Sequence, residues 1–429
     1  GVYICDNAGE VSMAGNTLSN NTVNSDYHAY GGGIAVWSYH AKVIFHDNVI
    51  TSNYISGQTA CAGAGLLMAY SNNPPSVVIT NNTILDIKGD QGESYGGGVA
   101  LVYGLENPVT FDGNKVAGNG ARYGGGIYLQ DINNIDITNT LFVNDTAYEY
   151  GGAICCGMPP EERGIAPMKS NQYGYWHAAN NPPRDEGHPR IINNTFTGNR
   201  GEFGGAIFSN YGGAFPVIVN SVFWGNGASL GEDLYQTGSP DLPVYYCDIN
   251  TNGIIGEWSG EGIIFQDPLF CDESCHISWW DSPCWNAGAG QVEINGEIYI
   301  APDHDFEGEA RPGDANPDIG ADEDIMWEGV DELQVAGFRL QVFPNPAFGR
   351  SEIKYQIAKI KSVLLQVYDI HGVVVCTLVN ENQCLGEHSV TFDVSGLPSG
   401  IYLIRLQSGD AVATKKLVVL SHRISTIGN

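Results

Sequence analysis

The sequence predicts an all-β molecule: a stacked solenoid, specifically a right-handed parallel β-helix, followed by a small Ig-like β-sandwich. Three observations carry this reading. A glycine phrase closed by an aliphatic residue returns along the chain as Gly31-Gly32-Gly33-Ile34, Gly63-Ala64-Gly65-Leu66, Gly96-Gly97-Gly98-Val99, Gly124-Gly125-Gly126-Ile127, Gly151-Gly152-Ala153-Ile154 and Gly204-Gly205-Ala206-Ile207. Counted from Val2, the closing aliphatics lie 32, 32, 33, 28, 27 and 53 residues apart, a period that marks a stacked architecture. At nearly constant phase a second phrase follows, with asparagine, a short apolar step and a further asparagine, as in Asn16-Thr17-Leu18 to Asn21, Asn48-Val49-Ile50 to Asn53 and Asn194-Thr195-Phe196 to Asn199. Between the two lie β-rich runs such as Val43-Ile44-Phe45, Val77-Val78-Ile79 and Ile135-Asp136-Ile137, and no stretch sustains a helical period.

Each part of the chain follows from these signals in order. Residues 1–250 are read as the parallel β-helix, with an insertion at about 157–188 that accounts for the long interval. One repeat of two or three short strands cannot bury its apolar face alone. Stacked edge to edge at about 4.8 Å, roughly eight coils give a rod about 40 Å long, with one aliphatic column inside: Ile34, Leu66, Val99, Ile127, Ile154 and Ile207. Asparagine side chains are placed to hydrogen-bond up the stack, and the glycines permit crowded corners. Residues 251–330 form a closing segment, 331–337 a linker, 338–420 the sandwich and 421–429 a tail. Alternating strands of six to eight residues at regular turn spacing argue for the sandwich.

Three resemblances sharpen this picture. The Gly-Gly-Ala-Ile copies at 151–154 and 204–207, paired with Phe196-Thr197-Gly198-Asn199 and Phe223-Trp224-Gly225-Asn226, resemble the paired repeats of polymorphic outer-membrane β-helix adhesins. Asp267-Pro268-Leu269-Phe270, then Asp281-Ser282-Pro283-Cys284-Trp285-Asn286-Ala287-Gly288, Arg311 and Asp318-Ile319-Gly320-Ala321-Asp322-Glu323, are similar to the segment that ends the solenoid in many secreted bacterial β-helix proteins. The last ninety residues carry Val342-Phe343-Pro344-Asn345-Pro346, Val367-Tyr368-Asp369-Ile370-His371-Gly372, Leu397-Pro398-Ser399-Gly400-Ile401-Tyr402-Leu403 and Lys415-Lys416-Leu417-Val418-Val419-Leu420. That order resembles the type A sorting domain read by the type IX secretion system of Bacteroidota and their relatives. The resemblance makes Pro344, Asn345, Pro346, Gly372, Gly400, Tyr402, Lys415 and Lys416 the motif residues, and the type IX machinery a partner. In that family the domain is normally removed after export and ends near the position of Leu420, whereas here Ser421 to Asn429 continue.

Charge is divided unevenly. Residues 1–335 carry 10 Lys and Arg against 42 Asp and Glu, while 336–429 carry 9 against 6. A surface of the first sign repels phosphate backbones, so nucleic acid is excluded as a partner. No apolar run is long enough to span a membrane. Gly1 falls inside a repeat phrase, so a preceding segment is expected. The bare first coil would then dock onto that segment or onto a second copy.

Candidate chemistry is sparse. Ten cysteines in an exported chain suggest disulfides; Cys376 and Cys384, flanking Asn380-Glu381-Asn382 read as a turn, could staple one hairpin, and Cys247, Cys271, Cys275 and Cys284 form a second group. Adjacent Cys155 and Cys156 would face opposite ways on a strand, leaving at most one in the core. Asp303 to Asp314 and the run from Asp314 mimic calcium loops, yet the first lacks the final Glu and the second has Ile319 in the glycine position. Calcium is the one ion they would take, and no other cofactor is indicated. In the insertion, Tyr173, Tyr175, Trp176 and His177 gather among Glu161, Glu162, Arg163, Arg184, Asp185, Glu186 and His188 as a candidate glycan-contact loop. No paired-carboxylate motif of a glycoside hydrolase stands out. The expected function is a secreted or cell-surface structural, adhesive or self-assembling solenoid; the alternative is a polysaccharide lyase or glycoside hydrolase on the same scaffold.

Overall fold

The computed structural model describes residues 1–6, 9–38, 42–57, 60–70, 76–90, 92–102, 108–130, 132, 134–157, 188–210, 215–238, 241–272, 274–277, 282–313, 315–324, 339–357, 361–383, 386–408 and 411–419. The chain divides into two units, 1–270 with 274–326, and 271–273 with 327–429.

The first unit is a parallel solenoid with four strand-bearing faces, more than the two or three the sequence suggests. One sheet of nine strands runs from Val2–Asp6 to Ile254–Ile255, a second of nine from Glu10–Ala14 to Trp258–Ser259, and a third of seven from Thr17–Ser19 to Val222–Trp224. The fourth, of eight short strands, includes Thr22–Ser25 and His28–Tyr30. The expected column is present in register: Val2, Ile34, Leu66, Val99, Ile127, Ile154, Ile207, Leu234 and Ile254 are successive partners. Because Ile154 pairs directly with Ile207, the long interval is one coil with an insertion; residues 158–187 lie outside the described residues. On the third face Phe142, Phe196 and Phe223 stack at 4.8 and 4.7 Å, which is the strand spacing itself.

The glycine phrase answers two separate demands. Gly124 has φ +64°, and a Cβ there would lie 2.2 Å from the Ile127 carbonyl oxygen; a Cβ on Gly125 would lie 2.4 Å from the Gly152 oxygen of the next coil. One glycine turns the chain and the next lets two backbones meet. At the asparagine corner the left-handed turn is made by Asp47, Asn81, Asn139, Asn193 and Asn220, with φ of 56, 56, 48, 55 and 49°, a conformation short polar side chains tolerate best among non-glycine residues.

The closing segment folds back along the solenoid flank rather than simply ending the stack. After Trp258–Ser259, the last strand of the solenoid sheets, the one further pair of strands in this segment among the described residues is an antiparallel hairpin, Gln291–Ile294 with Glu297–Ile300. Ile277, Cys284 and Ile319 pack against Val222, Ala321 packs against Leu141, and Asn193 Nδ2 donates to the Asp318 and Gly320 carbonyls.

The second unit is antiparallel except for one parallel link, with strands in the spatial order Val374–Gln383, Lys361–Tyr368, Gly400–Ser408, Ala411–Val419, Arg339–Phe348, Arg350–Ile357, Gly386–Asp393. Its core holds Ile353, Tyr355, Val363, Leu365, Val367, Ile404, Leu406 and Leu417.

The cysteine readings need correction. Val374–Gln383 is one continuous strand, so Asn380-Glu381-Asn382 is not a turn. Cys376 and Gln383 stand about 23 Å apart along it at strand rise, against roughly 6 Å between bridged Cα atoms. Cys376 is a free thiol packed against the core, so the Cys376–Cys384 staple is not formed; Cys384 itself lies outside the described residues. Cys247 and Cys284 are likewise buried free thiols, whereas Cys271 of the same group is disulfide-bonded. Cys155 and Cys156 do face opposite ways, yet both are buried, because the solenoid has a second apolar cluster outside the tube: Cys156 belongs to the inner core and Cys155 to the outer one.

Candidate functional site

Two polar ladders run along the rod, the first from Asn16 to Cys247 and the second interrupted at Ile87, whose backbone N donates to Asn119 Oδ1. In the first, Asn48 donates from both its backbone N and Nδ2 to Asn82 Oδ1 at 3.0 Å, and Asn82 donates in the same way to Asn114 Oδ1 at 2.9 and 3.1 Å. The column continues through Thr140, Asn194, Ser221 and Cys247. Each asparagine also reaches back one coil, as Asn82 Nδ2 does to the Phe45 carbonyl at 3.0 Å. A second ladder links Asn21 to Asn53, and Asn119 through Asp145, Asn199 and Asn226 to Asp233. Asp145 stands within it as a buried carboxyl between two amides. Its Oδ1 accepts from Asn119 N and Nδ2 at 2.8 and 2.9 Å, while its buried Oδ2 finds no partner among the described residues. Burial pushes this carboxyl well above its ordinary range, against the two Asn119 hydrogen bonds that favour the ion.

Outside the tube, the glycine corner folds the outer faces of two sheets toward each other. Tyr95, Tyr123, Tyr150 and Phe203 form one file with centroids 5.0, 5.9 and 5.0 Å apart. Tyr128, Phe208 and Tyr235 come from the facing sheet, with Tyr95–Tyr128 at 5.0 Å and Tyr150–Phe208 at 4.5 Å. Tyr30 meets Trp37 at 5.7 Å near the start of the same trough. Sequence reasoning located the inner column but not this outer one. The available signal was an aromatic or alanine directly before each glycine phrase, at Tyr30, Tyr95, Tyr123, Tyr150 and Phe203.

Where the closing segment meets the flank, acids and histidines converge. A cleft of about 300 Å³ is lined by Thr80, Asn81, Asp112 and residues 304–308. His304 bridges Asp303 Oδ1 at 2.8 Å and Asp112 Oδ2 at 3.0 Å, which raises its pKa, the Asp303 hydrogen bond first among the causes. Thr138 Oγ1 and Asn139 Nδ2 donate to the other Asp112 oxygen. Beside it, His276, Glu307 and Asp322 draw together. Burial pushes Asp318 and Asp322 up to about 8. The Arg311 guanidinium is buried 3.3 Å from Glu323 and donates to the Ala321 carbonyl at 2.8 Å. The first calcium-like run has another use here, since Asp305 accepts the backbone N–H groups of Glu307, Glu309 and Glu323 and so shapes its own turn. Asp314, shared by both runs, lies outside the described residues, as do Tyr173, Tyr175, Trp176 and His177.

In the second unit, Asn345 clasps the strand opposite: its Nδ2 donates to the Lys416 carbonyl at 2.6 Å and its Oδ1 accepts from Val418 N at 2.9 Å. Pro346 is exposed beside it, and Pro344 lies in the same strand. Gly400 pairs with Val419 and Tyr402 with Leu417, while Leu403 and Ile404 pair with Lys416 and Lys415. The Tyr402 hydroxyl donates to the Pro398 carbonyl at 3.0 Å. Gly372 turns the tip before Val374 with φ +79°.

Residues 1–158 match the family model described as right handed beta helix region, and residues 341–420 match that of the secretion system C-terminal sorting domain. The chain is a secreted right-handed β-helix protein with a type IX sorting domain. As a cargo of that system it is handled by the type IX machinery and delivered to the cell surface or the medium. No helix among the described residues is long and apolar enough to cross a membrane. No curated protein and no solved structure matches the chain.

Proposed function

We propose that the exported chain is a structural and adhesive element, a stiff acidic rod that holds its flanks and ends available to surfaces or to other chains. The observation that supports this reading best is the continuity of its columns. Parallel strand pairing and the first ladder tie each coil to the next, and the second ladder and the ring files add links over part of the length, so bending or opening one coil breaks many bonds at once. At the first coil, Val2, Ile4, Val11, Met13, Leu18 and Val23 are only partly covered, and the strands Val2–Asp6, Glu10–Ala14, Thr17–Ser19 and Thr22–Ser25 each pair on one side. That face accepts a further coil, from a preceding segment of the same polypeptide or from a second copy.

The sorting motif residues and the aromatic insertion loop retain the roles assigned above within this proposal: recognition during export for the first, glycan contact for the second. Immobilised full-length chain should retain cells or purified surface glycans in a salt-dependent manner without changing them. Turnover of an acidic or neutral polysaccharide by the same preparation, read as new reducing ends or unsaturated products, would refute the structural role in favour of catalysis.

A further inference from the structure

We propose that His276, Glu307 and Asp322 form a binding site for a divalent metal ion of the zinc class, which ties together three stretches of the closing segment. One ligand atom from each lies within 4.8 Å of those of the other two, although the residues are far apart in sequence. His276 Nε2 and Glu307 Oε2 are 3.1 Å apart; two ligands each about 2.0–2.1 Å from a shared tetrahedral ion stand roughly 3.3 Å apart. The trio is also held in place by its neighbours. Asp322 Oδ2 accepts the backbone N–H of Ile277 at 2.7 Å, anchoring the residue next to His276. The His276 ring packs on Phe306, the residue before Glu307, with centroids 5.3 Å apart.

Charge gives a second, independent reason. Asp305, Asp318, Asp322 and Glu323 are all buried here, and Arg311 is the one buried Lys or Arg among the described residues. Carboxylates removed from water in excess of cations call for a counter-charge. The imidazole selects the class of ion, because calcium and magnesium prefer all-oxygen shells whereas imidazole suits zinc, copper and nickel. Half-exposed Glu307 leaves room for water at the remaining coordination position. The segment has little backbone ladder of its own, so an ion joining residues 276, 307 and 322 would do there what strand pairing does in the coils.

The test uses the full chain, stripped with a chelator and titrated with Zn²⁺ by calorimetry, and with Co²⁺ followed by visible absorption. One saturable ion per chain is expected, with a rise in melting temperature, and at least tenfold weaker binding in both His276→Ala and Glu307→Gln. His304→Ala, which removes a different carboxylate-bound histidine, should bind as the parent does. Glu307 is on the surface, so its variant should fold, and an unchanged metal-free melt verifies that. Absence of saturable Zn²⁺ and Co²⁺ uptake overturns the site. So does uptake that neither variant weakens, or a preference for Ca²⁺ that survives His276→Ala.

Discussion

Replacing Asp145 by asparagine is expected to stabilise the solenoid and flatten its dependence on pH. In the parent, a buried carboxyl occupies a ladder position that holds an amide in the coils directly before and after it, at Asn119 and Asn199, and its Oδ2 has no partner among the described residues. Neighbouring rungs show what an amide does: Asn119 Nδ2 donates to Ile84 O at 3.0 Å and Asn199 Nδ2 to Phe142 O at 3.0 Å, each the central residue of the strand one coil back. By the same register an amide at 145 faces the Val116 carbonyl on one side and Asn199 Oδ1 on the other. Two added bonds at about 0.5–1.5 kcal/mol each give about 1–3 kcal/mol at neutral pH.

The sign of the pH effect follows from the raised pKa of the folded carboxyl. Its contribution to stability is complete below the unfolded value near 3.9 and is lost as pH rises toward the folded one, at about 1.4 kcal/mol per pH unit. Asp145→Asn removes that slope. Urea melts of parent and variant at pH 4.5 and 7.5, followed by circular dichroism, should show the two proteins close together in acid and the variant clearly more stable at neutral pH. A variant less stable at pH 7.5, or one with the parent's pH slope, would refute the argument that a buried carboxyl at this rung costs stability as pH rises.

Gly125→Ala should be among the most damaging single methyl additions, costing several kcal/mol, because its Cβ would meet the Gly152 oxygen at 2.4 Å; wild-type solubility and melting temperature would contradict it. Phe196→Ala opens a gap between rings at 4.8 and 4.7 Å and should cost about 3–5 kcal/mol in a denaturant melt. His304→Gln should loosen the closing segment by about 0.2–1 kcal/mol, the bridge being partly exposed. Because the folded His304 pKa is raised, this contribution is present below the ordinary 6.5 and fades as pH rises through the folded value, so parent and variant should converge in alkaline melts. Removing residues 341–420 should trap the solenoid in the periplasm of a host with a type IX system, as fractionation and immunoblotting would show; continued export would count against sorting by this domain.

The sequence alone determined the repeat, the inner column and the sorting domain, because each is written in short-range periodicity or in a local motif. Ile127 follows Gly124-Gly125-Gly126 as Ile154 follows Gly151-Gly152-Ala153, and stacking then leaves these residues little choice of partner. The ladders were legible only where asparagine repeats. Thr140, Ser221 and Cys247 fill rungs that register reveals and residue type conceals. Tertiary structure decided what depends on direction and distance. The glycine corner turns two outer faces toward each other and makes a second core, which is why Cys155 is buried as well as Cys156. A continuous strand separates Cys376 from the far end of its segment where a turn had been expected. The closing segment, aperiodic and rich in acids, carries no spacing that announces its path. Only its return along the flank brings His304 to Asp112 and gathers His276, Glu307 and Asp322, because a chain without a repeat is placed by packing and charge rather than by a ladder.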